Sequence, residues 1–135
     1  MKITWRVGFM AAAADAPWWQ RRLRPGYAHC WAARFVDEGL WLWVEWTPEA
    51  ILFGHAGPAM MSRAMFAAHE VLEWDYAPDP GPMPLRPILA IHQCASLVSH
   101  AIGIRPRPAA TPWWLSCAMQ QRNARVLIPG KEPAP

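Results

Sequence analysis

Residues 27–47 carry the pattern that most restricts how this chain can fold. Two apolar, aromatic-rich runs, Tyr27 to Phe35 and Leu40 to Thr47, flank Val36-Asp37-Glu38-Gly39. Runs of this kind, split by a short polar segment ending in glycine, spell a β-hairpin. Alternation puts Tyr27, His29, Trp31 and Ala33 on one face of the first strand, and Cys30 and Ala32 on the other. On the second strand Trp41, Trp43, Glu45 and Thr47 share a face, and Leu42, Val44 and Trp46 share the opposite one. Register decides what His29 meets. A loop from Phe35 to Gly39 sets His29 directly opposite Glu45. A loop from Asp37 to Gly39 sets it opposite Thr47, with Glu45 as its diagonal neighbour. A tight turn at Glu38-Gly39 alone separates His29 and Glu45 onto opposite faces. Glu-Gly is not a favoured pair for such a turn, so the longer loops are expected.

A second stretch, His92-Gln93-Cys94-Ala95-Ser96-Leu97-Val98-Ser99-His100-Ala101-Ile102-Gly103, reads as a short helix. Leu97, Val98, Ala101 and Ile102 recur at the spacing of one buried helical face. Gly103 stands where a left-handed C-terminal residue is wanted. Cys94 falls in the first turn. A thiol there feels the positive end of the helix dipole and the free N–H groups, which favours the thiolate. The alternative reading is a small buried hydrophobe, the usual fate of a free cysteine.

The remaining segments fill in an α+β chain. Ile3 to Met10 has strand character. Residues 16–24 read as a short helix capped by Asp15 and stopped before Pro25-Gly26, within an N-terminal arm spanning 1–24. Ile51-Leu52-Phe53 centres a third strand. Ser62 caps an expected helix from Arg63 to about Trp74, whose spacing is traced by Met65, Phe66, His69, Leu72 and Glu73. Residues 77–87 are proline-rich and read as a loop or extended arm, and Leu85 to Ile91 as a short strand leading to Cys94. Thr111-Pro112 is a helix start, for a helix from Trp113 to about Ala124. Residues 130–135 read as a flexible tail.

A chain of 135 residues is expected to form one domain, 1–135, and a hydrophobic content of 53% excludes a disordered one. The net charge of +3 is spread over scattered arginines, which argues against nucleic-acid binding. Three cysteines, Cys30, Cys94 and Cys117, form neither a disulfide framework nor a zinc pattern, so no metal or cofactor is expected. No apolar run is long enough to span a bilayer. Arg6 interrupts the first sixteen residues, which make a poor signal peptide.

A cysteine nucleophile needs a base, and the base needs a group to orient it. Cys94, His29 and Glu45 are the candidates. His92, beside the cysteine, is an alternative base. Three fragments carry a family likeness: Gly26-Tyr27-Ala28-His29-Cys30-Trp31, Trp43-Val44-Glu45-Trp46 and Gln93-Cys94-Ala95-Ser96-Leu97-Val98. A histidine on a strand, a polar orienter on the next, then a cysteine at a helix start resembles the circularly permuted NlpC-like, papain-like cysteine peptidases. The relatives of lecithin:retinol acyltransferase share that order. Gly103-Ile104 and Thr111-Pro112-Trp113-Trp114-Leu115 also look like small proteins of phage and prophage genomes. Glu45 stands where the family more often has His, Asn or Asp, and Gln93 where the unpermuted peptidases often have Asp.

The resemblance implies a papain-like α+β fold, with a small antiparallel sheet packed on the Cys-bearing helix. It also implies a cysteine amidase or peptidase acting on peptide or peptidoglycan-like substrates. Cys94 would be the nucleophile, His29 the base and Glu45 its orienter. The Cys94 backbone N–H would stabilise the oxyanion, with a donor from Gln93 or Tyr27. The alternative it carries is a virion structural or adaptor protein, of the tail or baseplate, that binds other virion proteins with little or no activity. Bacterial cytoplasm or the virion is the expected location.

Overall fold

The computed structural model describes residues 2–47, 49–76, 93–105 and 110–131. In chain order the elements are β1 (Ile3–Met10), α1 (Trp18–Arg21), β2 (His29–Asp37), β3 (Leu40–Trp46) and β4 (Ile51–Ala56). Then come α2 (Pro58–Ala67), β5 (Glu70–Tyr76), α3 (Gln93–Ala101), α4 (Pro112–Gln120) and β6 (Arg125–Ile128). The strands form one six-stranded sheet in the order β4-β3-β2-β1-β5-β6, antiparallel throughout. Among the described residues no helix is long and apolar enough to cross a membrane.

Helices cover both faces of this sheet. On one, Val7, Phe9, Cys30, Ala32, Val44 and Leu72 pack against Ala95, Val98 and Ile102 of α3 and Leu115, Ala118 and Met119 of α4. On the other, Trp31, Ala33, Trp41, Trp43 and Ala56 pack against Met61, Ala64 and Met65 of α2. The partition follows the alternation read from the hairpin. The Trp31 indole stacks on Trp43 with ring centroids 4.4 Å apart. It also lies over Gly8, where a Cβ would overlap its ring atoms. Glycine at this point of β1 lets the largest buried side chain lie flat on the sheet.

The β2–β3 turn differs from the expected loops in a way that preserves their result. Glu38 and Gly39 both take positive φ, 45° and 82°, so the turn is the two-residue kind. A register shift between Phe35 and Asp37 then inserts one extra residue. The bulge restores the parity that the tight turn removes, and Trp31 lies opposite Glu45. His29, two residues earlier, becomes the diagonal neighbour of Glu45, as the loop from Asp37 to Gly39 predicts.

The largest correction concerns residues 58–76. The helix begins earlier, with Pro58 at its first turn and Gly57 as N-cap, and Ser62 lies in its middle. It ends at Ala67, and Glu70–Tyr76 is a strand paired along β1, with Val7 opposite Leu72 and Trp5 opposite Trp74. Val71 and Leu72 are both fully buried, which an internal strand with two covered faces permits. Glu73, spaced like a helix-face residue, instead makes cross-strand ion pairs with Arg6 (3.0 Å) and Arg125.

Smaller differences have local causes. Pro17, not Asp15, precedes α1, and no side chain caps that helix. Thr111 does cap α4, accepting from the Trp114 N–H at 3.1 Å, with Pro112 in the first turn. α4 stops at Gln120, and Asn123, at φ 62°, redirects the chain into β6. Gly103 takes φ 76° after α3, while the Ile104 N–H returns to the Ser99 carbonyl at 2.8 Å. Gly130, read as the start of a free tail, lies against Tyr27, His69 and Glu70. The proline-rich segment 77–87 and the strand expected at 85–91 lie outside the described residues, as does the tail beyond 131.

Candidate active site

The sheet presents His29 at the very start of β2. The residue is three-quarters or more shielded, with its side chain 20% exposed. Its Nε2 lies 2.7 Å from Glu45 Oε1. The second carboxylate oxygen of Glu45 accepts from the Trp43 indole N–H at 3.0 Å. Trp43 and Glu45 are two residues apart on one strand and therefore share a face. With one oxygen on Trp43 and the other on His29, the carboxylate is fixed, and it fixes the ring in turn.

Cys94 approaches from the opposite layer. It occupies the first turn of α3, half-buried, packed against the core cluster that contains Cys30. The Cys94 thiol is in hydrogen-bonding reach of both His29 and Cys30. His29, the first residue of β2, interacts with both Glu45 and Cys94. Nε2 faces the carboxylate.

The electrostatics follow from these contacts. For Cys94 the hydrogen bond from Cys30 is the largest influence; burial opposes it, and the hydrogen bond and charge of His29 reinforce it. The net effect holds the Cys94 thiol well below its ordinary value of 9.0. Burial disfavours the charged form of His29, but hydrogen bonds to Cys94 and Glu45 and their charges outweigh it, raising its pKa to about 9. Hydrogen bonding from His29 holds Glu45 low against the opposing effect of burial. Cys30, fully buried, is pushed well above the ordinary thiol value and stays protonated. These shifts favour a thiolate beside an imidazolium, backed by a carboxylate.

Three of the six residues singled out in the sequence thus come together: Cys94, His29 and Glu45. Thr47, the other possible neighbour of His29, has its hydroxyl engaged at the β3–β4 turn. There it donates to the Ala50 carbonyl and accepts the Ala50 N–H, both at 3.1 Å. Tyr27, expected as an oxyanion donor, is engaged elsewhere. Its ring is buried against Phe9, His69 and Trp113, and its hydroxyl engages Glu70 and Ser116. Gln93 opens α3, but its side chain, like the whole of His92, lies outside the described residues.

Two participants escaped the sequence reading. Trp43 was legible, since alternation places it on the face of Glu45. Cys30 was read as core and is core; that the same thiol also faces Cys94 depends on where α3 docks, which no local pattern encodes. Among the described residues no group of three or more His, Cys, Asp or Glu is arranged to hold a metal ion.

Compared with family models, with curated proteins and with solved structures, the chain matches none.

Proposed function

We propose that this protein is a cysteine hydrolase, an amidase or peptidase, with a permuted papain-like arrangement in which Cys94 is the nucleophile. The observation that carries the reading is His29, held at 2.7 Å from Glu45 and in contact with the Cys94 thiol. Cys94 sulfur attacks the substrate carbonyl carbon, and the C=O electron pair moves onto oxygen. The free N–H groups of the first turn of α3, that of Cys94 among them, stabilise this oxyanion. The His29 imidazolium gives its proton to the leaving amine as the C–N bond breaks, which leaves a thioester. Neutral His29 then takes a proton from water, the hydroxide adds to the thioester, and the C–S bond breaks to restore thiolate and imidazolium. Glu45 keeps the ring in the orientation both half-reactions need.

A peptide or peptidoglycan-stem amide is the substrate class that the resemblance suggests. The alternative, a virion adaptor of the same fold, draws on exposed apolar residues outside the site: Trp18 is 65% exposed and Phe66 92%. Thiol reactivity separates the two. Iodoacetamide at pH 6, followed by peptide mapping, is expected to label Cys94 far faster than Cys30 or Cys117. Equal, slow labelling of all three would sink the enzyme reading.

A further inference from the structure

Away from Cys94, the sheet carries a groove of about 360 Å³ that the hydrolase reading does not use. It opens on the face covered elsewhere by α3 and α4, towards the β4 edge. Its walls include Trp5, Arg34, Leu42, Val44, Phe53 and His55. The register explains its shape. Trp5 pairs with Arg34, Arg34 with Leu42, and Leu42 with His55, so four strands contribute one row running across the sheet. Three strand spacings make that row roughly 14 Å long. Val44 opposite Phe53 lays an apolar floor beside it. Leu42 is 41% exposed and Phe53 75%, large apolar surfaces left to solvent.

Arg34 gives the groove its chemistry. It is half-buried, and among the described residues no carboxylate lies within ion-pair distance of it. Among the described residues no acidic side chain lines the groove, while His55 adds a second nitrogen donor at its outer end. A partly desolvated guanidinium over an apolar floor suits an anion attached to an apolar body. An added β-strand on the outer β4 edge does not fit, since it would lie roughly 14 Å from the strand that carries Arg34.

We propose that this cross-strand groove binds a small amphipathic carboxylate, its anion on Arg34 and its apolar body across Leu42, Val44 and Phe53. The site is separate from the thiol. Cys30, which touches Cys94, is four residues from Arg34 along β2, roughly 13 Å. Binding is therefore independent of whether Cys94 reacts.

Octanoate and octylammonium, titrated calorimetrically into the full chain, test it. Octanoate saturates one site and octylammonium does not. Arg34→Gln weakens octanoate about tenfold or more, Arg34→Lys retains part of the affinity, and Cys94→Ser binds like the unaltered protein. The proposal is overturned if octanoate fails to saturate, if octylammonium binds equally well to the unaltered protein, or if Arg34→Gln with an unchanged thermal melt binds octanoate as before.

Discussion

Glu45 and Glu70 each gather polar side chains around a carboxylate, but Glu45 is hydrogen-bonded to an imidazole and Glu70 to a hydroxyl and an amide. Glu70 is 4% exposed. It accepts from the Ser116 hydroxyl and, at 3.3 Å, from the Gln120 amide, and it engages the Tyr27 phenol. Burial, followed by the charge and hydrogen bond of Glu70, pushes Tyr27 up to about 12. Hydroxyl, amide and such a phenol all stay protonated through neutrality, and their hydrogen bonds fasten α4 and Tyr27 to β5. Glu45, with its side chain 21% exposed, holds an imidazole whose other neighbour is a thiol. Each of those two shifts the other's titration, Cys94 downward and His29 up to about 9. What distinguishes a site from a structural network here is the titration range of the carboxylate's partners, and how far solvent reaches them.

The sharpest way to test that contrast is to remove the imidazole. His29→Ala returns Cys94 toward an ordinary thiol, and its iodoacetamide labelling at pH 6 falls on the order of 100-fold. The matching cut in the other cluster, Glu70→Leu, leaves Ser116, Gln120 and Tyr27 donors without their acceptor. Stability in urea falls by about 3 kcal/mol while Cys94 labelling of the folded protein is unchanged. Loss of labelling in that variant would merge the two clusters into one functional unit.

Gly8→Ala forces a Cβ into the Trp31 ring beneath the site, and costs about 2 kcal/mol of stability by the same urea measurement. Glu45→Gln keeps a hydrogen-bonding side chain but removes its charge. His29 then holds its proton less tightly, and labelling at pH 6 falls roughly tenfold, less than for His29→Ala.

The two clusters also separate in their dependence on pH. His29 is raised in the folded protein, so its contribution to stability is full below its ordinary value of 6.5 and lost as pH rises through about 9. Cys94 is lowered, so its contribution is full above 9.0 and lost as pH falls through its folded value. Between 6.5 and 9 the two trends offset, and below 6.5 stability declines with the thiolate. Glu45, also lowered, adds a further loss below its ordinary value of 4.5. Urea midpoints measured from pH 5 to pH 9 are expected to rise to about 6.5 and then level. In a His29→Ala, Cys94→Ala double variant, the rise between pH 5 and 6.5 attributable to this pair disappears.

Much of the hairpin was legible because strand alternation is a local property. The side chains of Tyr27–Thr47 divide between two faces in any register of the right parity, and His29 and Glu45 fall together. The route to that parity was not legible. A tight Glu38-Gly39 turn and a bulge before Asp37 cancel each other, and neither is marked by a residue type that demands it. Thr111-Pro112 and Gly103 were readable for the same local reason, as backbone positions with few permitted residues.

Glu70–Tyr76 was misread because its apolar and acidic residues fit a helical period as well as a pleated one. Pairing with β1 settled the choice, since Arg6 on that strand meets Glu73 and two layers bury Val71 and Leu72. By itself the sequence determined which residue types are present and which way strand neighbours point. Only the tertiary structure decided that α3 docks with Cys94 over Cys30 and beside His29. Residues 30 and 94 are distant along the chain, and packing of the helix on the sheet, with no local preference to encode it, brings them into contact.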